Sequence, residues 1–200
     1  MENNKRCFWC NMNNPLYIEY HDKEWCQPNF DDKYLYEMLI LESFQAGLSW
    51  ECVLNKRENF RQAYDNFDID KICRYDENKK TELANNKGII RNKLKISASI
   101  NNSIIFKKIV NEYGCFYNYL TSFFDGKTIY ETNKTTNDLS DKISADLQNK
   151  GMKFVGSTII YSYLQAVGII YSHDKECFLY KKPLWINHRG FYCIIQVYAG

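Results

Sequence analysis

No apolar run in these 200 residues approaches the ~20 needed to span a bilayer, and the opening MENNKRCFWC lacks the apolar stretch of a signal peptide. Both absences argue against a membrane-embedded or exported chain and set the expectation of a cytoplasmic one. Charge of one sign is lacking too, since 26 Lys and Arg against 24 Asp and Glu leave a net charge of +2. Wholesale basicity therefore does not mark a nucleic-acid partner, although a basic face on a nearly neutral protein would still serve one. No sustained period-two alternation is present, so the expected fold class is all-α. Cys7-x-x-Cys10 has no second C-x-x-C and no preceding strand, which leaves it poorly formed as a zinc ribbon or a redox pair. Eight cysteines at irregular spacing in such a chain read as thiols or metal ligands rather than a disulfide framework.

What is present is core material. Apolar residues make up 45% and aromatics 16%, which excludes a disordered chain and suits one compact domain or two small helical lobes. The stretch Asp31 to Trp50, DDKYLYEMLILESFQAGLSW, reads as a helix. Asp31 or Asp32 caps its start and Gly47, free to turn left-handed, stops it. Leu35, Met38, Leu39 and Ala46 share one face, and Tyr36, Ile40, Leu41 and Phe44 cover the others, so this helix runs through a core. Glu42 lies three residues from Leu39, four from Met38 and seven from Leu35, and so projects with them. An ionised carboxylate buried there unpaired would be prohibitive. Glu42 is then protonated, paired, or facing a pocket with a polar or cationic occupant; the plainer reading places it at a rim, in reach of water.

Helix continues from Trp50 to Phe67, with Val53, Leu54, Phe60 and Tyr64 as an intermittent apolar stripe. Arg91, Lys93 and Lys95 form a basic cluster that is either a phosphate contact or a solvated helix face. Phe116 to Phe124 is an aromatic core segment ended by Asp125-Gly126, and TTNDLSDKISADLQNK is a capped amphipathic helix. Gly151 and Gly156 then bracket a turn containing Lys153, and Ser157 or Thr158 caps a new apolar helix. Such a turn, with a helix N-terminus behind it, attracts a phosphate; it is equally a plain helical hairpin. Finally, Cys7 and His21 near one end and His173 and Cys177 on one side of a helical turn near the other make a candidate Cys2His2 metal set. The alternative is four unrelated buried residues.

Together RCFW, PLYIEYHDKEW, YLYEMLILESFQAGLSW, VLNKRENFRQAYDNFD, GIIRNKLKI and KFVGSTIIYSYLQAVG resemble the type I 3-methyladenine DNA glycosylases of the helix-hairpin-helix superfamily, from about Arg6 to about Cys177. The resemblance implies a helix-hairpin-helix glycosylase fold that removes 3-methyladenine from alkylated double-stranded DNA. It implies that Glu42 hydrogen-bonds the excised base and that the base is the cation this carboxylate needs. Trp9 and Trp50 match aromatics that pack on the base, and Tyr17 and Tyr20 match pocket tyrosines. Gln45, Gly47 and Leu48 match the segment that presses into the gap left by a flipped base. Lys150 to Thr158, including Gly151, Lys153, Gly156 and Ser157, matches the hairpin that grips backbone phosphate. Cys7, His21, His173 and Cys177 match ligands of a structural zinc that ties the termini together, leaving Cys10 out.

The implied domain is 1–178, with the hairpin near 150–158, followed by an extension over 179–200 that has no counterpart in the family. His188 in that extension reads as incidental. Cys26 stands where the family has glycine, and Ser43-Phe44 replaces Gly-Gln, so Phe44 is expected to add bulk beside Glu42 and alter the pocket's width. Asp174, between His173 and Cys177, is a poor candidate for activating water. No lysine is an obvious Schiff-base nucleophile, so the expected enzyme is a monomeric, monofunctional glycosylase without strand cleavage. The reading from a different class is a zinc-stapled helical module that binds alkylated or distorted DNA without cutting it.

Overall fold

The computed structural model describes residues 4–181, and its helices begin where side chains can accept a free first-turn N–H. Asn14 caps α1 (Pro15–Lys23), with proline at its first position, and Asp31 caps α2 (Asp32–Gln45) through the Lys33 N–H. The helix ends at Gln45, where Ala46 leaves helical geometry and Gly47 takes φ +78°, so the expected stop at Gly47 is where the chain turns. Ser49 then caps a separate helix, α3 (Trp50–Leu54). Nor does helix continue unbroken to Phe67. α4 (Arg57–Ala63) is followed by a tight turn over Asp65–Phe67 in which Asp65, Asn66 and Phe67 all have positive φ. α5 (Ile69–Ile72) and α6 (Glu77–Asn85) lead to the long α7 (Lys93–Tyr113), which Gly114 ends at φ +82°.

α8 (Phe116–Thr121) occupies the expected aromatic segment. β1 (Ile129–Tyr130) follows, and α9 (Asp138–Asn149) starts with a capping box between Asn137 and Ser140. α10 (Ser157–Ala166) and β2 (Ile170–Tyr171) complete the described chain. The two strands pair in parallel, Ile129 with Ile170 and Tyr130 with Tyr171, a ladder too short to show as alternation in the sequence. The described residues are all-α apart from that ladder.

α2 is the axis of the core, packed by α7, α10, α3 and α8. Leu35, Met38, Leu39, Ile40, Leu41 and Phe44 are all completely buried on it. At about 1.5–3 kcal/mol each, that burial contributes roughly 10–20 kcal/mol gross, so α2 tolerates a group that opposes folding. Phe44 packs into this core against Phe60 and Tyr64, at 4.8 and 6.2 Å between ring centroids. It does not line the cavity beside Glu42, which corrects the expectation that it alters the pocket's width.

Two close approaches bring the segment after α1 against the segment after α10. A Cβ on Gly168 would lie 2.3 Å from the Pro28 nitrogen, so glycine alone lets the end of α10 meet the loop after α1. Cys26 adopts φ +61°, a conformation glycine takes without strain. Its N–H donates to the Gln165 carbonyl and its sulfur accepts from the Ser172 N–H, which holds α1 beside the segment carrying His173. No described helix is long and apolar enough to cross a membrane.

Candidate active site

A cavity of ≈ 520 Å³ opens beside α2, lined by Trp9, Tyr17, Tyr20, Trp25, Glu42, Gln45 and Trp50. Its other wall includes Asn133, Lys134, Thr135, Gln165 and Asp174. Tyr20 and Trp50 lie 5.2 Å apart between ring centroids, and Trp9 contacts Tyr17 at 5.4 Å and Trp25 at 4.5 Å. An occupant therefore meets ring faces and edges on one side and polar side chains on the other, a combination that suits a flat heterocycle with polar edges.

α2 carries two buried carboxylates with opposite surroundings. Glu37 is held by Arg57 at 2.6 Å and Arg61 at 2.8 Å, with Glu24 on the other side of Arg57 at 2.7 Å. Glu42 is 2% exposed and has no hydrogen-bond partner among the described residues; its Oε2 is fully enclosed. Burial alone pushes its pKa well above the ordinary carboxylate range, which favours the neutral acid over the carboxylate until a cation lies beside it. The Gln45 Oε1 and Trp50 Nε1 are likewise buried without a partner. Two side-chain oxygens and one ring N–H thus have hydrogen bonds to offer a ligand. Burial also raises Tyr17, to about 12, and Tyr20 well above its usual value, so both remain phenols at neutral pH. The rim reading of Glu42 is excluded by its burial.

The metal set also assembles. Ligand atoms of Cys7, His21, His173 and Cys177 all lie within 4.8 Å of one another, and all four residues are buried. Cys7 Sγ to His173 Nδ1, Cys177 Sγ to His173 Nδ1 and Cys177 Sγ to His21 Nε2 are each 3.5 Å. A tetrahedron with bonds of about 2.3 Å to sulfur and 2.0–2.1 Å to nitrogen has an S···N edge of about 3.5 Å, so the donors could hold one metal ion. His21 Nδ1 meets Asp22 at 2.8 Å, which turns the Nε2 lone pair toward the cluster. Asp22 is itself gripped by Arg6 at 2.6 and 2.8 Å. Burial and the neighbouring His21 push His173 down to about 4, leaving a neutral imidazole able to coordinate. Burial raises the Cys7 thiol, so ionising it calls for a cation among the donors. His173 and Cys177 sit in an irregular turn rather than on a helix, closed by the Cys177 N–H to the Asp174 carbonyl at 2.8 Å. Cys10 stays out, its sulfur 3.8 Å from the Tyr17 carbonyl.

The glycine turn joins α9 to α10 as a helical hairpin. Gly151 takes φ +98°, and the α10 N-cap is Gly156, not Ser157 or Thr158. Ser157 is the first helical residue, and its hydroxyl is engaged by Asp141 and, at 2.9 Å, Ser140, leaving only its N–H for a ligand. A Cβ on Gly156 would meet nothing within 4 Å, so its face is open. The exposed Lys153 has its backbone clamped twice by Asn102, at 2.8 and 2.9 Å. Of the segment between α2 and α3, Gly47 and Leu48 are exposed, while the Gln45 amide points into the cavity.

A model of the family described as methyladenine glycosylase matches residues 9–180. The chain belongs to that family. It is 39% identical over 182 residues to DNA-3-methyladenine glycosylase 1 of Escherichia coli K12, covering 88% of this chain and 97% of that one. It is 34% identical over 178 residues to DNA-3-methyladenine glycosylase of Haemophilus influenzae, covering 86% and 96%. Among solved structures it resembles a crystal structure of 3-methyladenine DNA glycosylase I with TM-score 0.84 at 39% identity, covering 88% of this chain and all of that one. A Staphylococcus aureus 3-methyladenine DNA glycosylase I, solved for 3-methyladenine recognition, gives TM-score 0.79 at 33% identity, with 82% and 90% covered.

Four side chains of this methyladenine glycosylase take places that its sequence does not announce. Trp25 lines the cavity and packs edge-on against His173 at 4.8 Å, linking pocket to metal cluster. Its only signal in the sequence is adjacency to Glu24 in the family motif. Asp174 lines the same cavity as Glu42 and accepts the Phe8 N–H at 3.1 Å. Lys95 is buried, so the basic cluster splits: Arg91 and Lys93 face solvent and Lys95 does not. Asn102, wholly buried on α7, had no signal at all. His188 and most of the extension, 182–200, lie outside the described residues.

Proposed function

We propose that this chain flips 3-methyladenine out of alkylated double-stranded DNA and hydrolyses its N-glycosidic bond, without cleaving the strand. The observation that carries the reading is Glu42, buried, unpartnered and facing an aromatic cavity. Methylation at N3 gives the base a positive charge while it is still attached to the sugar. That charge is what the aromatic faces of Trp9, Tyr20 and Trp50 attract, and what draws Glu42 into its ionised form. A neutral purine would leave the carboxyl protonated and bring no such gain, so selectivity resides in this pocket.

The same charge makes the base a good leaving group, so the residues have little acid catalysis to supply. As the bond to C1′ breaks, positive charge moves from base to sugar, and a carboxylate held at the base favours the ground state at least as much as the transition state. Glu42 therefore serves recognition first, with the C1′–N bond breaking to release neutral 3-methyladenine, a water oxygen bonding to C1′ and the surplus proton of that water passing to solvent. Lys134, the lysine on the cavity wall, is tied to Glu131 at 2.6 Å and so is a poor Schiff-base nucleophile. Cys7, His21, His173 and Cys177 would hold a structural zinc, closed by four protein ligands and outside the chemistry. Residues 1–178 would form the catalytic domain, acting as a monomer on chromosomal DNA in the cytoplasm. The extension over 179–200 begins at Leu179, whose carbonyl accepts from the Tyr171 hydroxyl.

The hairpin around Gly156 would grip a phosphate through its free backbone N–H groups, with Lys153 beside it. Gly156 has φ −62°, ψ 160°, which any residue adopts, so Gly156→Val should fold normally. Its branched side chain would stand where the phosphate approaches. We expect its affinity for duplex DNA to fall by about tenfold, the cost of roughly one charge-assisted hydrogen bond, with the melting temperature unchanged. Equal DNA affinity in a filter-binding titration would remove the hairpin from the interface.

The test of the whole reading is chromatographic detection of free base after incubation with methylated duplex DNA. Release of 3-methyladenine with the phosphodiester backbone intact is the expected result. Binding to methylated DNA without release would sink the enzyme and leave the non-catalytic damage-binding module, although a phosphate binder has no need of Glu42, Trp9, Tyr17, Tyr20 and Trp50 around one cavity.

A further inference from the structure

Lys95 is a buried cation with no carboxylate partner among the described residues. It is 6% exposed, and its ammonium donates to the Phe44 carbonyl at 2.9 Å and the Ala46 carbonyl at 2.5 Å. These are carbonyls at the C-terminal end of α2, where the helix has no basic residue of its own in the last turn and leaves partial negative charge. A charge supplied from another helix thus ends α2 at the point where the chain turns into Gly47 and Leu48. The same ammonium lies 5.7 Å from the ring centroid of Phe154, a hairpin residue held at φ +57°. Seven residues along α7, on the same face, Asn102 grips both the N–H and the carbonyl of Lys153. One rigid helix therefore holds the two loops that face DNA: the loop after α2 at Lys95, the hairpin at Asn102, with Phe154 touching the Lys95 end.

We infer that Lys95 is a positioning residue for base flipping, fixing the loop that carries Leu48 at a set distance from the phosphate-gripping hairpin. The inference rests on the reading of Gln45 to Leu48 as the segment that enters the gap left by the flipped base. Leu48 suits that part, a large apolar side chain 42% exposed at the tip of the loop. A wedge must be stiff, since a loop that yields when pressed against stacked bases does not keep them apart. Gly47, at φ +78° with nothing within 4 Å of a Cβ, makes this loop pliable by itself. The two ammonium–carbonyl bonds on its N-terminal side remove that freedom without touching the base.

Lys95→Met keeps the stem and removes the charge. The probe is a duplex with a tetrahydrofuran abasic site and 2-aminopurine as the neighbouring base, whose fluorescence changes when a side chain enters the gap. Wild-type protein should give the change, and Leu48→Ala should lose it. Lys95→Met should lose most of its amplitude and release 3-methyladenine from duplex DNA about tenfold more slowly, the scale expected of a misplacement of order 1 Å. Its affinity for free 3-methyladenine, read from tryptophan fluorescence, should be unchanged, because no pocket residue is altered. A merely structural lysine would weaken both readouts together. Lys95→Gln, which keeps an N–H donor on a shorter stem, is measured in parallel. Wild-type fluorescence amplitude in either folded variant would overturn the inference, and so would failure of both to fold, since the lysine would then serve stability alone. No signal from the wild type would instead remove the wedge reading, and the inference with it.

Discussion

Glu42→Gln should be more stable than the wild type and nearly inactive. The stability half follows from the pocket's electrostatics. Burial raises the Glu42 pKa in the folded protein well above its value in the unfolded chain. The neutral acid is therefore compatible with folding at low pH, and the compatibility is lost as pH rises toward and through the raised pKa, where the unfolded chain ionises and the folded one resists. Glutamine never ionises. The gain in melting temperature should thus be small near pH 5 and grow toward pH 8, reaching a few degrees for a difference of about 1–2 kcal/mol in a chain of this size. Activity should move oppositely. Without the carboxylate the methylated base loses its buried charge partner and keeps only the ring faces, so base release at sub-saturating DNA should drop by roughly 10²–10³-fold, the scale of removing one partner from a desolvated ion pair. Calorimetry across pH and chromatographic assay of released base measure the two halves separately. A variant that is less stable at pH 8 would mean Glu42 has a partner in the free protein; one that retains full activity would move recognition to Gln45 and Trp50.

How much of this was legible in the sequence depends on how far apart the partners lie. α2 and its misfit carboxylate were readable because both are local: caps, a stop at Gly47 and helical spacing put Glu42 among Leu35, Met38 and Leu39. The hairpin was readable for the same reason, down to its glycines, although which residue caps α10 was not; Ser157 looks like a cap and instead spends its hydroxyl on Asp141 and Ser140. Phe44 departs from its expected place because successive residues on a helix lie about 100° apart around the axis, so a bulky residue two places from Glu42 points away from the pocket. Lys95 and Asn102 were illegible in principle. Their partners are backbone carbonyls and an N–H 49 to 51 residues away, and backbone groups carry no side-chain signature. The four cluster residues, 166 positions apart between Cys7 and His173, came from family motifs; spacing alone left them open.

The pocket and the metal cluster share walls, which makes metal removal the second large effect. Trp9 leans on His21 at 5.2 Å between ring centroids, and Trp25 on His173 at 4.8 Å, so two of the rings facing the cavity rest on two of the four donors. Cys7 and His21 come from the first helix and its lead-in, His173 and Cys177 from beyond β2, and those segments are also joined by the Ser172 N–H to the Cys26 sulfur and the Asp174 N–H to the Cys7 sulfur. Structural zinc in small peptides contributes about 10–16 kcal/mol, comparable with the whole stability of a domain. Here a large core persists without it, so stripping the ion with a strong chelator should cost part of that sum. A loss of about 5 kcal/mol corresponds to a fall of roughly 10–20 °C in melting temperature. Affinity for 3-methyladenine should collapse at the same chelator concentration, before the helical circular-dichroism signal does, because Trp9 and Trp25 lose their support while α2, α7 and α10 stay packed. Cys177→Ser should reproduce both effects without chelator. Elemental analysis of the untreated protein should give one zinc per chain. Protein that carries no metal, or that keeps its melting temperature and its ligand affinity in chelator, would reduce the four residues to ordinary core.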